Sequence, residues 1–339
     1  MQGGYPLSGR LSNQESIFIG GRYMIAIINY PKWLDRELSD TLLQDIPGDL
    51  KFFANYQELI PYAEDVEIIL NSGKADADVI RKLPNLKWIS SITAGVDMYP
   101  LDLLNERGIL LTNTSGVHAT NIAEHVLGSM VAFSRNFVQA MHNQAEGVWK
   151  NYPVSELMDK SLLIIGSGRI GREIARKAKA FDMAVYGVRN QPGDETLENF
   201  DEVYGGKDLM AVLPGKDYVV LVGPATDATL GMMGKDQFKA MDETAVFINV
   251  GRGDTVVEQD LIKALENGEI KGASLDVFEK EPLEEISPLW SMPNVILTPH
   301  VAGLTPFYEK RALGMFRENL ERFQKGESLN NLVDLNRKY

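Results

Sequence analysis

Short apolar runs alternate with amphipathic stretches along most of the chain. The runs at 24–29, 50–54, 66–70, 86–90 and 109–112 predict strands, and the stretches at 35–44, 56–62, 77–82 and 100–106 predict helices. Apolar runs of this length suit strands buried on both faces, as in a parallel sheet. Strands regularly separated by helices imply an α/β layer structure with helices on both sides of that sheet.

A longer helical run follows, at 121–143. Ile122, Val126 and Met130 line one face with Ala123, Leu127 and Val131 beside them, and Asn121 with Glu124 resembles a capping box. More than twenty residues is long enough to bridge two domains. Residues 144–159 hold Trp149, Tyr152 and Pro153 with weak periodicity and read as a surface arm or connector. A second α/β series then begins, with strands expected at 162–165, 184–188, 218–222, 246–250, 273–277 and 295–297. Its helices are expected at 169–181, 207–213, 235–240 and 258–267, and a last amphipathic helix at 306–325.

Composition narrows the class. The 339 residues are long for one domain and natural for two. A net charge of −13 argues against nucleic acid or an anionic membrane as a main partner. The absence of cysteine removes disulfides, thiol catalysis and cysteine metal sites, and no H-E-x-x-H or equivalent spacing suggests another metal site. No apolar run approaches the ~20 residues of a membrane helix. Residues 1–23 lack a signal-peptide pattern and read as an extension before Met24, so the cytoplasm is the default location.

The stretch Leu162-Leu-Ile-Ile-Gly-Ser-Gly-Arg-Ile-Gly171 joins a buried strand to a helix through G-x-G-x-x-G. In a dinucleotide site Gly166 makes the turn, Gly168 lets a pyrophosphate approach and Gly171 lets helix and strand pack closely. The helix N-terminus adds unpaired N–H groups. Three glycines in six residues also occur in ordinary turns, so the flanking elements carry this reading.

Three strand ends bear chemically useful side chains. Arg252 lies between glycines in Asn-Val-Gly-Arg-Gly-Asp254, either as a surface loop residue or as a bidentate carboxylate clamp. Asp276 and Glu281 stand in Leu-Asp-Val-Phe-Glu-Lys-Glu-Pro282, and carboxylates in such loops are usually just solvated. His300, in Leu-Thr-Pro-His-Val-Ala-Gly303, suits a general acid–base, with a reference pKa near 6.5. His118, His125 and His142 fall at or within the long helix and read as packing or solvent-facing residues.

In order and spacing these segments resemble the D-isomer-specific 2-hydroxyacid dehydrogenase family. Ser-Ile-Thr-Ala-Gly-Val-Asp97 looks like its substrate loop, Ile-Ala-Glu-His-Val-Leu127 like its inter-domain helix and Ile-Ile-Gly-Ser-Gly-Arg-Ile-Gly171 like its nucleotide loop. Ile-Asn-Val-Gly-Arg-Gly253, Leu-Asp-Val-Phe-Glu-Lys-Glu-Pro282 and Met-Pro-Asn-Val-Ile-Leu-Thr-Pro-His-Val-Ala-Gly303 complete the series. The resemblance implies two Rossmann-like or flavodoxin-like α/β domains. A substrate domain, 24–117 with 303–339, would be interrupted by a cofactor domain, 118–302, with the substrate in the cleft between them.

It also implies roles. Arg252, Glu281 and His300 would be the catalytic trio. Ala94, Gly95 and Val96 would help Arg252 hold the substrate carboxylate. Gly166, Ser167, Gly168, Arg169, Ile170, Gly171, Arg189, Asn190, Pro224, Thr229, Val250, Asp276 and Ala302 would bind the cofactor, Asp276 orienting its carboxamide side. A small 2-keto acid would become a D-2-hydroxy acid with hydride from a nicotinamide and a proton from His300. Glu281 would orient the imidazole and favour the imidazolium. A homodimer through the cofactor domain and the arm at 144–159 is expected.

One departure bears on cofactor choice. Many family members end the second strand of the cofactor domain with an acidic residue, which binds the ribose hydroxyls. Here Val-Tyr-Gly-Val-Arg189-Asn190 places Arg189 there. Arginine cannot accept from those hydroxyls but pairs well with a 2′-phosphate, which predicts NADP(H) over NAD(H). That preference points toward a glyoxylate/hydroxypyruvate-type reductase. Phosphoglycerate dehydrogenase and a nucleotide-sensing, co-repressor-like binding protein are the alternatives. Side-chain specificity is expected from residues 71–73 and 94–96.

Overall fold

The computed structural model describes residues 23–28, 41, 43, 44, 46, 48–96, 98–190 and 196–335. Residues 1–22 of the expected extension, the end of the first strand at 29, most of the helix expected at 35–44 and Asp97 of the substrate loop lie outside the described residues. The chain divides into two compact units, one comprising 1–117 with 306–339 and the other His118–Thr305.

The first unit holds five strands: β1 (Met24–Ile28), β2 (Asp49–Phe53), β3 (Val66–Asn71), β4 (Trp88–Ser91) and β5 (Leu110–Thr112). They pair in parallel in the order β2-β1-β3-β4-β5. Alternate side chains feed two cores, because successive strand residues point to opposite faces. Met24, Ala26, Ile28, Ile69 and Ile89 pack with Leu59, Val79 and Leu104 on one face. Ile25, Ile27, Ile68, Leu70 and Trp88 pack on the other against Leu313, Phe316 and Leu320 of the helix Tyr308–Gln324. Trp88 stacks on Phe316 with ring centroids 5.3 Å apart, and its indole N–H donates to the Thr112 hydroxyl at 3.0 Å. This burial is why the end of the chain returns to the unit in which it began.

The second unit holds seven strands: β6 (Ser161–Ile165), β7 (Ala184–Arg189), β8 (Glu202–Gly205), β9 (Tyr218–Leu221), β10 (Val246–Asn249), β11 (Gly272–Leu275) and β12 (Val295–Leu297). All pair in parallel in the order β12-β11-β10-β9-β6-β7-β8. This is a doubly wound sheet that reverses direction between β6 and β9. Ligands in such sheets bind at the carboxyl ends of the strands beside that reversal. Both units are thus Rossmann-like α/β layers, as expected.

Three expectations need correction. The single helix at 121–143 is two helices, Ala119–Ser134 and Phe137–Ala145. The break is made by Asn136 in the left-handed region (φ 54°) and by Ser155, whose N–H takes the Ser134 carbonyl at 2.7 Å. Asparagine tolerates that conformation better than most residues. Asn121 is no cap: the first of these helices begins at Ala119, and the Asn121 amide donates to the carbonyls of Ala302 and Leu304 at 2.9 and 3.3 Å. Finally, β8 was not anticipated. It is a short edge strand whose first residue, Glu202, is exposed, so it lacks the apolar run of its neighbours. Among the described residues no helix is long and apolar enough to cross a membrane.

Candidate active site

The loops after β10, β11 and β12 meet at the carboxyl edge of the second sheet. His300 follows β12, Glu281 follows β11, and His300 Nδ1 lies 2.7 Å from Glu281 Oε2. A carboxylate only accepts, so Nδ1 carries the proton of this bond and Nε2 is left for exchange with a ligand. Half of the imidazole is exposed (51%). Burial pushes the Glu281 carboxyl up. The His300 hydrogen bond, a 3.1 Å bond from the Phe278 N–H and the charges of His300 and Arg252 outweigh it and hold the group below its ordinary value. Residues 281 and 282 are joined by a cis peptide bond.

The backbone of His300 is also in the left-handed region (φ 53°). Asp276, one residue past β11 and only 2% exposed, holds it there. The Asp276 carbonyl accepts the His300 N–H at 2.9 Å. Its carboxylate accepts from the N–H groups of Val301 and Ala302 at 2.9 Å each and from the Thr298 hydroxyl at 2.6 Å. His125 Nε2 stands 3.4 Å from that hydroxyl, and His118 Nδ1 lies 2.8 Å from the Gly303 carbonyl, so both histidines pack against the loop as the packing reading expects.

Arg252 follows β10, with its Nη1–H donating to the Gly251 carbonyl at 2.8 Å and much of the guanidinium exposed. Gly253 explains how this loop approaches the next. A Cβ built there would stand 1.8 Å from the Phe278 carbonyl oxygen. Only glycine lets the Arg252 and Glu281 loops lie this close.

A separate cavity of 330 Å³ opens at the β6/β9 reversal. Gly166, Ser167, Gly168, Arg172, Arg189, Asn190, Gly206, Pro224, Thr226 and Thr229 are among its lining residues. Its features fit a dinucleotide phosphate. A Cβ on Gly171 would fall 2.2 Å from the Gly166 carbonyl oxygen, so the turn and helix can pack only as glycine allows. The Ser167 hydroxyl is buried without a partner, a donor available to a phosphate oxygen. Arg189 closes β7 beside it. Of the other residues assigned to the cofactor by resemblance, Arg169, Ile170, Val250, Asp276 and Ala302 lie outside this lining. Arg172 and Thr226 line it and were not singled out from the sequence, although Arg172 directly follows the last glycine of the motif.

In the first unit the loop after β4 presents Ala94, Gly95 and Val96. Their carbonyls accept from Asn113 Nδ2, the Thr93 hydroxyl and the Tyr99 N–H, at 2.9, 2.9 and 3.0 Å. Among the described residues their own N–H groups have no acceptor. Backbone donors left in succession make an anion-binding concavity. Beside this loop a cavity of 710 Å³ is lined by Asn55, Tyr56, Lys74, Asp76, Asp78 and Tyr99, among others.

Comparison with known proteins fits this arrangement. Residues 127–302 match the model of the D-isomer specific 2-hydroxyacid dehydrogenase NAD binding domain. The glyoxylate/hydroxypyruvate reductase B of Escherichia fergusonii is 36% identical over 276 residues, covering 79% of this chain and 82% of the relative. The D-3-phosphoglycerate dehydrogenase of Methanocaldococcus jannaschii is 33% identical over 283 residues, covering 82% of this chain but 54% of that protein. The crystal structure of an NADPH-dependent glyoxylate/hydroxypyruvate reductase from Sinorhizobium meliloti, in complex with NADP and sulfate, superposes with a TM-score of 0.73 at 27% identity. It covers 94% of this chain and 100% of that one.

The chain belongs to the D-isomer specific 2-hydroxyacid dehydrogenase family. It is an oxidoreductase of that type, an NAD(P)-dependent 2-keto-acid reductase.

Proposed function

We propose that the protein reduces a small, unphosphorylated 2-keto acid of the glyoxylate/hydroxypyruvate type to the D-2-hydroxy acid, using NADPH. The observation that carries the cofactor choice is Arg189 at the end of β7, lining a cavity whose described lining residues include no carboxylate. No carboxylate among the described lining residues accepts from ribose hydroxyls, while the guanidinium suits a 2′-phosphate.

When bound, the nicotinamide supplies hydride to the carbonyl carbon. His300, its Nδ1 committed to Glu281, gives a proton from Nε2 to the carbonyl oxygen. Arg252 holds the substrate carboxylate and stabilises charge developing on that oxygen. The N–H groups of Ala94, Gly95 and Val96, which have no acceptor among the described residues, suit a carboxylate. The position of Asp276 supports a role in fixing the His300 loop besides the expected one toward the carboxamide.

The NADPH preference is what favours the glyoxylate/hydroxypyruvate type of substrate over the phosphoglycerate one. Membership of the family, rather than the presence of Arg252, Glu281 and His300, weighs toward turnover and away from a purely nucleotide-sensing protein. We also infer a cytoplasmic homodimer that uses the arm at 144–159, where Val148, Trp149, Val154 and Met158 are exposed.

The test is kcat/KM across glyoxylate, hydroxypyruvate, phosphohydroxypyruvate and larger keto acids with both cofactors. The expected result is at least ~10-fold preference for NADPH, since a charge-assisted bond is worth roughly one to two decades. Equal use of the cofactors, or a preference for NADH, removes the Arg189 reading. Tight cofactor binding with no turnover on any acid would restore the sensor.

A further inference from the structure

Arg189 is not the only cation facing the nucleotide cavity. Arg172 stands in the first turn of the helix Arg169–Lys179 and lines the same 330 Å³ cavity as Arg189, Asn190 and Gly206. Three other cations of that helix are engaged elsewhere: Arg176 with Glu173, Lys177 with Glu124, and Lys179 with Asp201. Arg172 and Arg189 have no side-chain partner among the described residues. Two guanidiniums with no partner among the described residues therefore line one small cavity in a chain of net charge −13. Like charges left together without a counter-charge repel, and an anion between them reverses the sign.

We propose that Arg172 is the second arm of a two-arginine clamp on the 2′-phosphate of NADPH, and so a cofactor-specificity residue. The inference rests on the NADPH reading of Arg189 and extends it to a residue that the sequence motif leaves unassigned. The pyrophosphate already has donors of its own, the N-terminal N–H groups of the helix and the orphan Ser167 hydroxyl at the glycine turn. Arg172 projects instead into the cavity shared with the end of β7, where the adenosine ribose lies in sheets of this order. A phosphomonoester carries about −1.5 to −2 charges at neutral pH, enough to engage two arginines. Planar guanidinium forks grip such a group with paired N–H bonds, which a lysine cannot reproduce.

Equilibrium titration of the folded protein with NADPH and with NADH, by calorimetry or cofactor fluorescence and without keto acid, tests the clamp. Arg172→Ala should weaken NADPH about tenfold and NADH less than twofold, with Arg172→Lys recovering part of the loss. Because Arg172 is exposed, an unchanged melting temperature should accompany the change. In the double variant with Arg189→Ala the two losses should be smaller than their sum in free energy, because both arms hold one phosphate. An equal loss for both cofactors would overturn the proposal by placing Arg172 at the pyrophosphate. No loss for either would overturn it by leaving Arg172 to solvent. If the unaltered protein prefers NADPH and only Arg189→Ala removes the preference, this inference fails while the reading of Arg189 stands. If the unaltered protein shows no preference, the reading of Arg189 fails first.

Discussion

The hydroxyl of Thr298 donates a 2.6 Å hydrogen bond to Oδ1 of Asp276, a carboxylate only 2% exposed. Two residues further on is the imidazole that faces Glu281. Thr298 thus ties the end of β12 to the end of β11, while Asp276 also holds Val301 and Ala302. The His300 backbone is clasped from both sides in a conformation it would rarely adopt unaided.

Thr298→Val keeps the shape of the side chain and removes the donor. The buried carboxylate then loses one of its partners, at a cost of roughly 1.5–3 kcal/mol for a bond to a charged group. Turnover should fall with little change in KM, and Thr298→Ser should restore most of both. Denaturant unfolding and steady-state kinetics on the pair of variants check this. A Val variant with full turnover would show that the loop does not need the clamp.

The dyad makes its own prediction in acid. Glu281 is held below its ordinary value, so the folded state prefers it ionised. Its stabilising contribution is complete above the unfolded glutamate value of about 4.3. It fades as the pH falls through the lower folded value, because below both values the folded and unfolded states bind the proton alike. The stability gap between the unaltered protein and Glu281→Gln should therefore shrink as the pH falls below about 4.3. A gap that widens below that value would contradict the direction of the shift. In the same dyad His300→Ala should lower turnover by ~10²–10⁴-fold.

Much of this site is visible along the chain, and the reason is local. Gly166, at φ 112°, and Gly171, whose Cβ would meet the Gly166 carbonyl, are needed where a turn, a strand and a helix touch within ten residues, so their spacing carries the geometry, while Gly168 leaves open space at the cavity. Arg189 is legible because it is the last residue of a strand that its apolar neighbours announce. What escaped depends on partners distant in sequence. Arg172 matters because its helix turns it into the cavity of β7, and Thr298 because β11 runs alongside β12. The break at Asn136 is set by Ser155, an acceptor-seeking N–H from beyond the second helix that no periodicity within 121–143 reveals. Both fold layers were readable because buried parallel strands are near-continuously apolar, whereas the half-exposed edge strand β8 is not.

The arm gives a fourth expectation. Trp149 is fully exposed, and Val148, Val154 and Met158 beside it in sequence are each about half exposed. These are the side chains that the proposed dimer contact would cover. Sedimentation equilibrium should find a dimer at micromolar concentration, and Trp149→Glu should shift it toward monomer. A protein already monomeric before substitution would remove the arm from that role.

Gly253 provides the most stringent test of how the catalytic loops are brought together. The Cβ of Gly253→Ala would stand 1.8 Å from the Phe278 carbonyl oxygen and 2.5 Å from the Glu279 nitrogen. Both are backbone atoms, so no rotamer change relieves the contact and the loops must part. Overpacking of this kind typically costs about 1–3 kcal/mol in stability. The separation displaces Arg252 from Glu281 and His300, and a misplacement of about 1 Å can lower the rate ~10²-fold. The variant should fold with a lowered melting temperature, bind cofactor nearly as before, and lose both substrate affinity and turnover. Cofactor titration beside steady-state kinetics separates these effects. Loss of cofactor binding alone would place the damage in the nucleotide cavity, and unimpaired kinetics would mean that the two loops need not lie so close for reduction.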